Sequence, residues 1–367
     1  MTDATDDLGP LAARVPEALR GSSAYHVPQP PNIRAKLDAN ELAFALPAEL
    51  RTRLGAALAE VALERYPDPR AKDLRAHLAA ELGVAGAQLV FGNGSDELIA
   101  LVAQAFAGPI LYPTPSFVYY RLAAIARGLP VVEVPLDATF QLDEISLEYA
   151  IADSKPSVVF LALPNNPTGT LWRMEFALEL AARHRDTVIV SDEAYFAYSG
   201  RTSLPALAAH PNLIVMRTLS KIGMAGLRVG YTISAPAIAA VLEKVRPPYN
   251  LSSLDQRAAL FMLREAATWC ADRAAEIVSE RARLANAVAS LPGTEVFASE
   301  ANLLLVRFGA GRASEIWSGL AARGIVVRSF DHSTGPINAL AGCLRITVGT
   351  PAENALLVTA LRELCAR

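Results

Sequence analysis

The chain has 367 residues, 52% of them hydrophobic and 19% charged, with a formal net charge of −3. That length allows two or three domains with sizeable cores, and the composition excludes a disordered chain. The nearly balanced charge leaves no basic footprint for a nucleic-acid partner.

Cys270, Cys343 and Cys365 are far apart, odd in number and without CxxC spacing. They fit a reducing compartment and offer neither a disulfide frame nor a metal site. His26, His77, His184, His210 and His332 also lack metal-ligand spacing, so no metal is expected. The stretch MTDATDDLGP has no basic segment followed by an apolar run, and so no secretory signal is visible. LIALVAQAFAGPILY (98–112) is interrupted by Gln104 and Gly108-Pro109, short of the roughly 18 apolar residues of a membrane helix. The expectation is a soluble, cytoplasmic protein.

Residues 1–36 read as a loop-rich arm, with Pro28, Pro30 and Pro31 close together. RAKDLRAHLAAELGV (70–84) has helical spacing, and AQLVF (87–91) reads as a strand. After the turn GNGSDE (92–97) a helix resumes. PILY (109–112), LPVVEVP (129–135), SVVFLALP (157–164), TVIVSDEAY (187–195), NLIVMRT (212–218) and GYTIS (230–234) read as strands. Helical stretches such as MEFALELAARHR (174–185) separate most of them, which predicts a mainly parallel sheet sandwiched by helices. After about residue 250 the texture changes: long helices over 255–290 precede NLLLVRF (302–308), GIVVRSF (324–330), CLRITVG (343–349) and a closing helix from Ala352. This predicts an α/β chain with a small-domain arm at 1–40, a large domain at 41–250 and a smaller α+β domain at 251–367.

Unusual residues cluster where ligands bind in open α/β sheets, at the C-terminal ends of parallel strands. Gly92-Asn93-Gly94-Ser95-Asp96 is either a phosphate-holding turn at a helix N-terminus or an ordinary strand-to-helix turn; GxGxxG fails at Glu97. Asn165-Asn166-Pro167-Thr168-Gly169 has the composition of a plain turn. Asp192 closes a buried-looking strand, which calls for an ion pair with a neighbouring Arg or Lys, or for a task. In RTLSKIGMAGLRVGY (217–231), Lys221 sits among apolar residues with Ser220 beside it and Arg228 seven positions on. The GxSxG nucleophile pattern is missing. A buried carboxylate to keep a pyridinium nitrogen protonated, an amine with a lowered pKa to form an imine, and a phosphate cradle together describe a site for pyridoxal 5′-phosphate.

In that order, GNGSDE, PNNPTG, SDEAY and LSKIGMAGLRVGY resemble the fold-type-I aminotransferases of class I/II. The resemblance implies that Lys221 carries the cofactor imine and shuttles the proton, and that Asp192 pairs with the pyridine nitrogen. It implies that Tyr195 and Asn166 bond the phenolic oxygen, and that Ser95, Asp96, Ser220 and Arg228 surround the phosphate. Phe117 in YPTPSFVYY (112–120) would stack on the ring, or is a core aromatic.

Within the family, KLDANELAF (36–44), RYPDP (65–69), VRPPYN (245–250) and LAGCLRITVGTPAEN (340–354) resemble the histidinol-phosphate aminotransferase branch, from about residue 36 to the end. That implies a homodimer in which Tyr66 reaches the partner subunit's cofactor phosphate. Arg345 would bind the α-carboxylate of the amino donor. Arg328 would face the phosphate of the keto acceptor, or is a solvated strand-end charge. Asn166 and Phe44 would also line the substrate site. The implied reaction moves an amino group between L-glutamate and imidazole-acetol phosphate in histidine biosynthesis. An aromatic amino acid aminotransferase and a threonine-phosphate decarboxylase-like lyase are the alternatives. The branch's usual NEN-Pro segment reads Asn40-Glu41-Leu42-Ala43-Phe44 here, and SFDHSTGPINALAG (329–342) is the other candidate departure. Both fall where the substrate's side chain is expected.

Overall fold

The computed structural model describes residues 4–15, 20, 32–309, 311–330 and 339–366. Residues 331–338, the bulk of the second departure, lie outside the described residues, as do His26 and His332.

Seven strands form the larger sheet: β2 (Leu89–Asn93), β3 (Ile110–Thr114), β4 (Val131–Pro135), β5 (Val158–Ala162), β6 (Val188–Asp192), β7 (Leu213–Thr218) and β8 (Val229–Ser234). β1 (Ala35–Leu37) precedes them in the chain and belongs elsewhere. Their order is β2-β8-β7-β6-β5-β3-β4. The pleat sorts each buried strand between two cores. Val159, Leu161, Ile189 and Val215 pack on one face with Leu180 and Leu219. Val158, Phe160, Val190 and Met216 pack on the other with Ile99 and Tyr120. That is why these segments read as continuous apolar runs. The edge strand β4 is only partly covered and carries Glu133 and Pro135, as an edge should.

Strands β3 to β7 are mutually parallel, whereas β8 runs antiparallel to both β7 and β2. The cause is chain length. Residues 219–228 between β7 and β8 hold only two short 3-10 turns, less than the dozen or so residues a parallel crossover needs.

The second sheet contains β9 (Thr294–Val296), β10 (Leu303–Phe308), β11 (Ile325–Ser329) and β12 (Cys343–Thr347), in the order β1-β11-β12-β10-β9. Strand β1 pairs parallel with β11, so the N-terminal segment enters the sheet built by the far end of the chain. The helices Ala267–Ala289, Arg312–Ala321 and Pro351–Cys365 cover it. The last is started by a capping box between Thr350 and Glu353. The cores do not divide at residue 250. Leu251, Ala259, Leu260, Met262 and Cys270 pack with the larger sheet, whereas Ala274 and Ile277, on the same helix Ala267–Ala289 as Cys270, join a second core that also takes in Ala35, Leu37, Tyr195 and Tyr198. An apolar helix face that continues across both cores leaves no compositional break at the boundary. Among the described residues, no helix is long and apolar enough to cross a membrane.

At the end of β6, Glu193 and Arg217 form a fully buried ion pair at 2.9 Å. Arg217 gives Glu193 Oε2 a second bond through Nε at 3.1 Å and lies 3.7 Å from the Phe196 ring centroid. Arg217→Ala strands the Glu193 charge and is expected to cost about 3–5 kcal/mol in urea unfolding. The double variant Glu193→Gln/Arg217→Met should recover most of that loss.

Candidate active site

The chain changes its direction of winding between β3 and β5, and the loops after those strands meet there. The Ser116 hydroxyl donates to Asn165 Oδ1 at 2.7 Å, and Asn165 Nδ2 donates to the Pro115 carbonyl at 3.0 Å and to Thr168 Oγ1 at 2.9 Å. Asn165 therefore ties the two loops together. Asn166 is left to accept a hydrogen bond from Arg345 Nη1 at 2.7 Å. Arg345 sits on β12 and also donates to the Asp38 carbonyl, so the site lies between the two sheets.

Asp192 ends β6 on the same face as Val188 and Val190 and is buried. The expected cation goes to its neighbour Glu193 instead. Among the described residues Asp192 makes no ion pair; its Oδ2 accepts from the Tyr120 hydroxyl at 2.7 Å and its Oδ1 from the Ala194 amide at 3.1 Å. Burial pushes its carboxyl up to about 6, against the lowering effect of those two bonds. Tyr195 is also buried. Its hydroxyl accepts from Asn40 Nδ2 at 2.8 Å, and burial raises the phenol to about 12.

Lys221 follows β7 within a short 3-10 turn, and its backbone carbonyl accepts from the Tyr198 hydroxyl. The side chain is half-buried. Its Nζ lies 5.9 Å from the Tyr195 ring centroid and donates to the Ala39 carbonyl at 3.4 Å. Desolvation and then the Arg345 charge hold this amine down at about 8, more than the Asp96 and Glu41 carboxylates raise it. A lysine so placed carries a usable neutral fraction near neutral pH.

Ser220, Arg228, Ser95 and Asp96 gather at the N-terminus of the helix Gly94–Ala105. Arg228 adopts φ 51°, donates through Nη2 to Asp96 Oδ2 at 2.9 Å and through Nη1 to Ser220 Oγ at 3.4 Å. The Asp96 side chain thus holds the arginine. Gly94, at φ 77°, has no room for a side chain: a Cβ there would stand 2.5 Å from Arg228 Nη2. A guanidinium, a hydroxyl and exposed helix-end amides make an anion cradle.

Phe117 is half-buried and edge-on to Tyr120, with ring centroids 5.8 Å apart. Arg328 lies directly opposite Arg345 in the β11–β12 register. Directly opposed side chains share one face of a sheet, so two guanidinium stems flank the same spot, an arrangement that favours an anion between them. Phe44 packs against the second core with the Arg273 guanidinium 5.2 Å from its ring centroid. Tyr66 is 82% exposed and stacks on Tyr249 at 4.9 Å, pointing outward from its own chain.

Residues 33–361 match the family Aminotransferase class I and II. The chain belongs to this family. A histidinol-phosphate aminotransferase of Acidovorax sp. is 43% identical over 364 residues, covering 96% of this chain and 97% of that one. One from Paracidovorax citrulli is 44% identical, covering 98% and 99%. The crystal structure of histidinol-phosphate aminotransferase from Sinorhizobium meliloti in complex with pyridoxal-5′-phosphate superposes with a TM-score of 0.80 at 28% identity, covering 91% of each chain. The fold is that of the fold-type-I enzymes, and the chain is a transaminase.

Three site residues escaped sequence reasoning. Tyr120 lies three positions after Phe117, and its signal is the buried carboxylate without a cation, which calls for a neutral donor such as a phenol. Tyr198 follows Tyr195 at the same interval. Asn40, in a left-handed conformation at φ 54°, joins Tyr195 to Thr347, whose hydroxyl accepts from its amide N–H at 2.9 Å.

A carboxyl whose folded pKa (about 6) exceeds the ordinary 3.8 costs stability as pH rises between those values, because the native fold holds the proton more tightly. Asp192→Asn should therefore raise the unfolding free energy of the ligand-free protein at about pH 8 by about 1–3 kcal/mol, and lose that gain at about pH 4. Thermal melts at the two pH values check this.

Proposed function

We propose that this transaminase binds pyridoxal 5′-phosphate on Lys221 and exchanges an amino group between L-glutamate and imidazole-acetol phosphate, yielding L-histidinol phosphate in histidine biosynthesis. One observation carries the reading: on the neighbouring strand ends of β6 and β7, a buried carboxylate without an ion pair among the described residues, Asp192, and Lys221, whose amine burial and the Arg345 charge lower to about 8.

The residues fit the cofactor. Asp192 suits a protonated ring nitrogen, Tyr195 and Asn166 a phenolic oxygen, and the Gly94–Ser95 helix end with Ser220 and Arg228 a phosphate. Phe117 would cover the ring. When bound, the cofactor supplies the electron sink that makes a substrate Cα proton acidic. The chain does the rest. Lys221 Nζ would hold the cofactor at its aldehyde carbon and would move the proton at the substrate Cα. Tyr198 holds the lysine backbone in place.

Arg345, oriented by Asn166, binds the α-carboxylate of glutamate. Imidazole-acetol phosphate has no carboxylate, so its phosphate uses Arg345 together with Arg328. The pair explains how one pocket serves two unlike anions, and the names of the relatives support this substrate over an aromatic or decarboxylated one. We also assign a homodimer, in which the outward Tyr66 completes the neighbouring subunit's phosphate cradle. The larger sheet forms the cofactor domain and the smaller sheet with β1 the substrate-closing domain. Three free, buried cysteines suit the cytoplasm.

Borohydride reduction after loading should place a pyridoxyl tag on Lys221 in a peptide map; a tag elsewhere, or none, removes the catalytic assignment. In single-turnover assays, Arg345→Ala should slow both half-reactions by about 100-fold or more. Arg328→Ala should slow only the half-reaction with the phosphorylated substrate, and no effect on either half would dismiss its role.

A further inference from the structure

We propose that Tyr120 is the positioning residue for Asp192: its buried hydroxyl fixes the carboxylate, in orientation and in charge, as the partner of a protonated pyridine nitrogen. The inference rests on the cofactor reading above.

The Asp192 carboxylate has two fixed donors, the Tyr120 hydroxyl at 2.7 Å and the Ala194 amide at 3.1 Å. Only the first is a side chain, and hence open to substitution. Tyr120 is fully buried, and its own position is over-determined. Its ring stacks on Phe160 at 4.6 Å and 12°, lies edge-on to Phe117 at 90°, and meets Tyr112 at 5.7 Å. A hydroxyl on a ring held from three sides cannot swing away from the carboxylate, which is what a preorganised support requires. The same turn therefore presents the stacking ring, Phe117, and the bond that aims the carboxylate. A displacement of segment 117–120 would disturb both contacts together.

Charge follows from the same contact. Asp192 is opposed by burial and by the Glu193 and Asp96 charges, with the Tyr195 phenol also facing it. The hydroxyl works against all of these by stabilising the anion. Burial and then the adjacent carboxylate hold the Tyr120 phenol well above its usual range, so it stays a donor at every working pH.

Tyr120→Phe keeps the ring stack and deletes the donor. Infrared or NMR titration of the ligand-free protein should show the Asp192 carboxyl rising by about one pKa unit. After loading with pyridoxal 5′-phosphate, cofactor affinity and kcat should each fall about tenfold or more, with the KM for L-glutamate nearly unchanged. Replacing Tyr120 by 3-fluorotyrosine, a stronger donor of nearly the same shape, should move the carboxyl titration down and covers the case of a Phe variant that does not fold. A purely structural Tyr120 would leave the carboxyl titration and kcat of a folded Phe variant at the wild-type values. That result, with the wild type tagged on Lys221, overturns this inference alone. A wild type that takes no tag overturns the cofactor reading and this inference with it.

Discussion

An ionisable group buried without an opposite charge is costly, and the larger sheet holds one such group at the end of β6. Its neighbour one residue on, Glu193, faces the other side of the sheet and takes the available arginine. The pleat alone makes that separation: adjacent positions on a strand point in opposite directions, so the cation that neutralises one carboxylate cannot reach the other. Asp192 is left with a phenol and an amide, which hold it in place without cancelling its charge. The Arg217 pair anchors the strand end, and the anion beside it remains available for chemistry.

Lys221 is governed by the complementary constraint. Arg345, arriving from the smaller sheet, is among the charges that push the amine toward its neutral form. The carbonyls of Asp38 and Ala39, just past β1, accept from Arg345 and Lys221 in turn, while Asn40 reaches Tyr195. One short segment thus touches Lys221, Arg345 and Tyr195. It belongs by pairing to the sheet that carries Arg345, so anything that draws Arg345 toward a substrate also bears on the lysine.

Much of this was legible from the chain. The parallel strands announced themselves as apolar runs, β4, β5 and β6 closed by Pro or Asp and β7 by Thr218-Leu219-Ser220, and the candidate residues sat just past several of those ends. What stayed hidden depends on partners distant in sequence. The direction of β8 is absent from its apolar pattern; it follows from the length of the preceding loop. Glu193 reads like any strand-end acid until Arg217 is placed beside it. The opposition of Arg328 and Arg345 is a matter of register between strands, which two separate runs of residues cannot declare. The boundary at residue 250 marked a change of texture, whereas the cores pass from one to the other inside a continuous helix. The Asp96–Arg228 pair joins a helix start to a loop more than a hundred residues on, which neither segment announces by itself.

The brief return from β7 to β8 also limits how the protein can change. Ser220, Lys221 and Arg228 all lie on it, and both of its ends are pinned by ladder pairs, Thr218 facing Gly230 among them. A residue gained or lost there would shift the amine and the anion cradle at once, because no slack exists to absorb it. Variation in what this scaffold accepts must therefore accumulate on elements that do not carry the lysine, β11 among them.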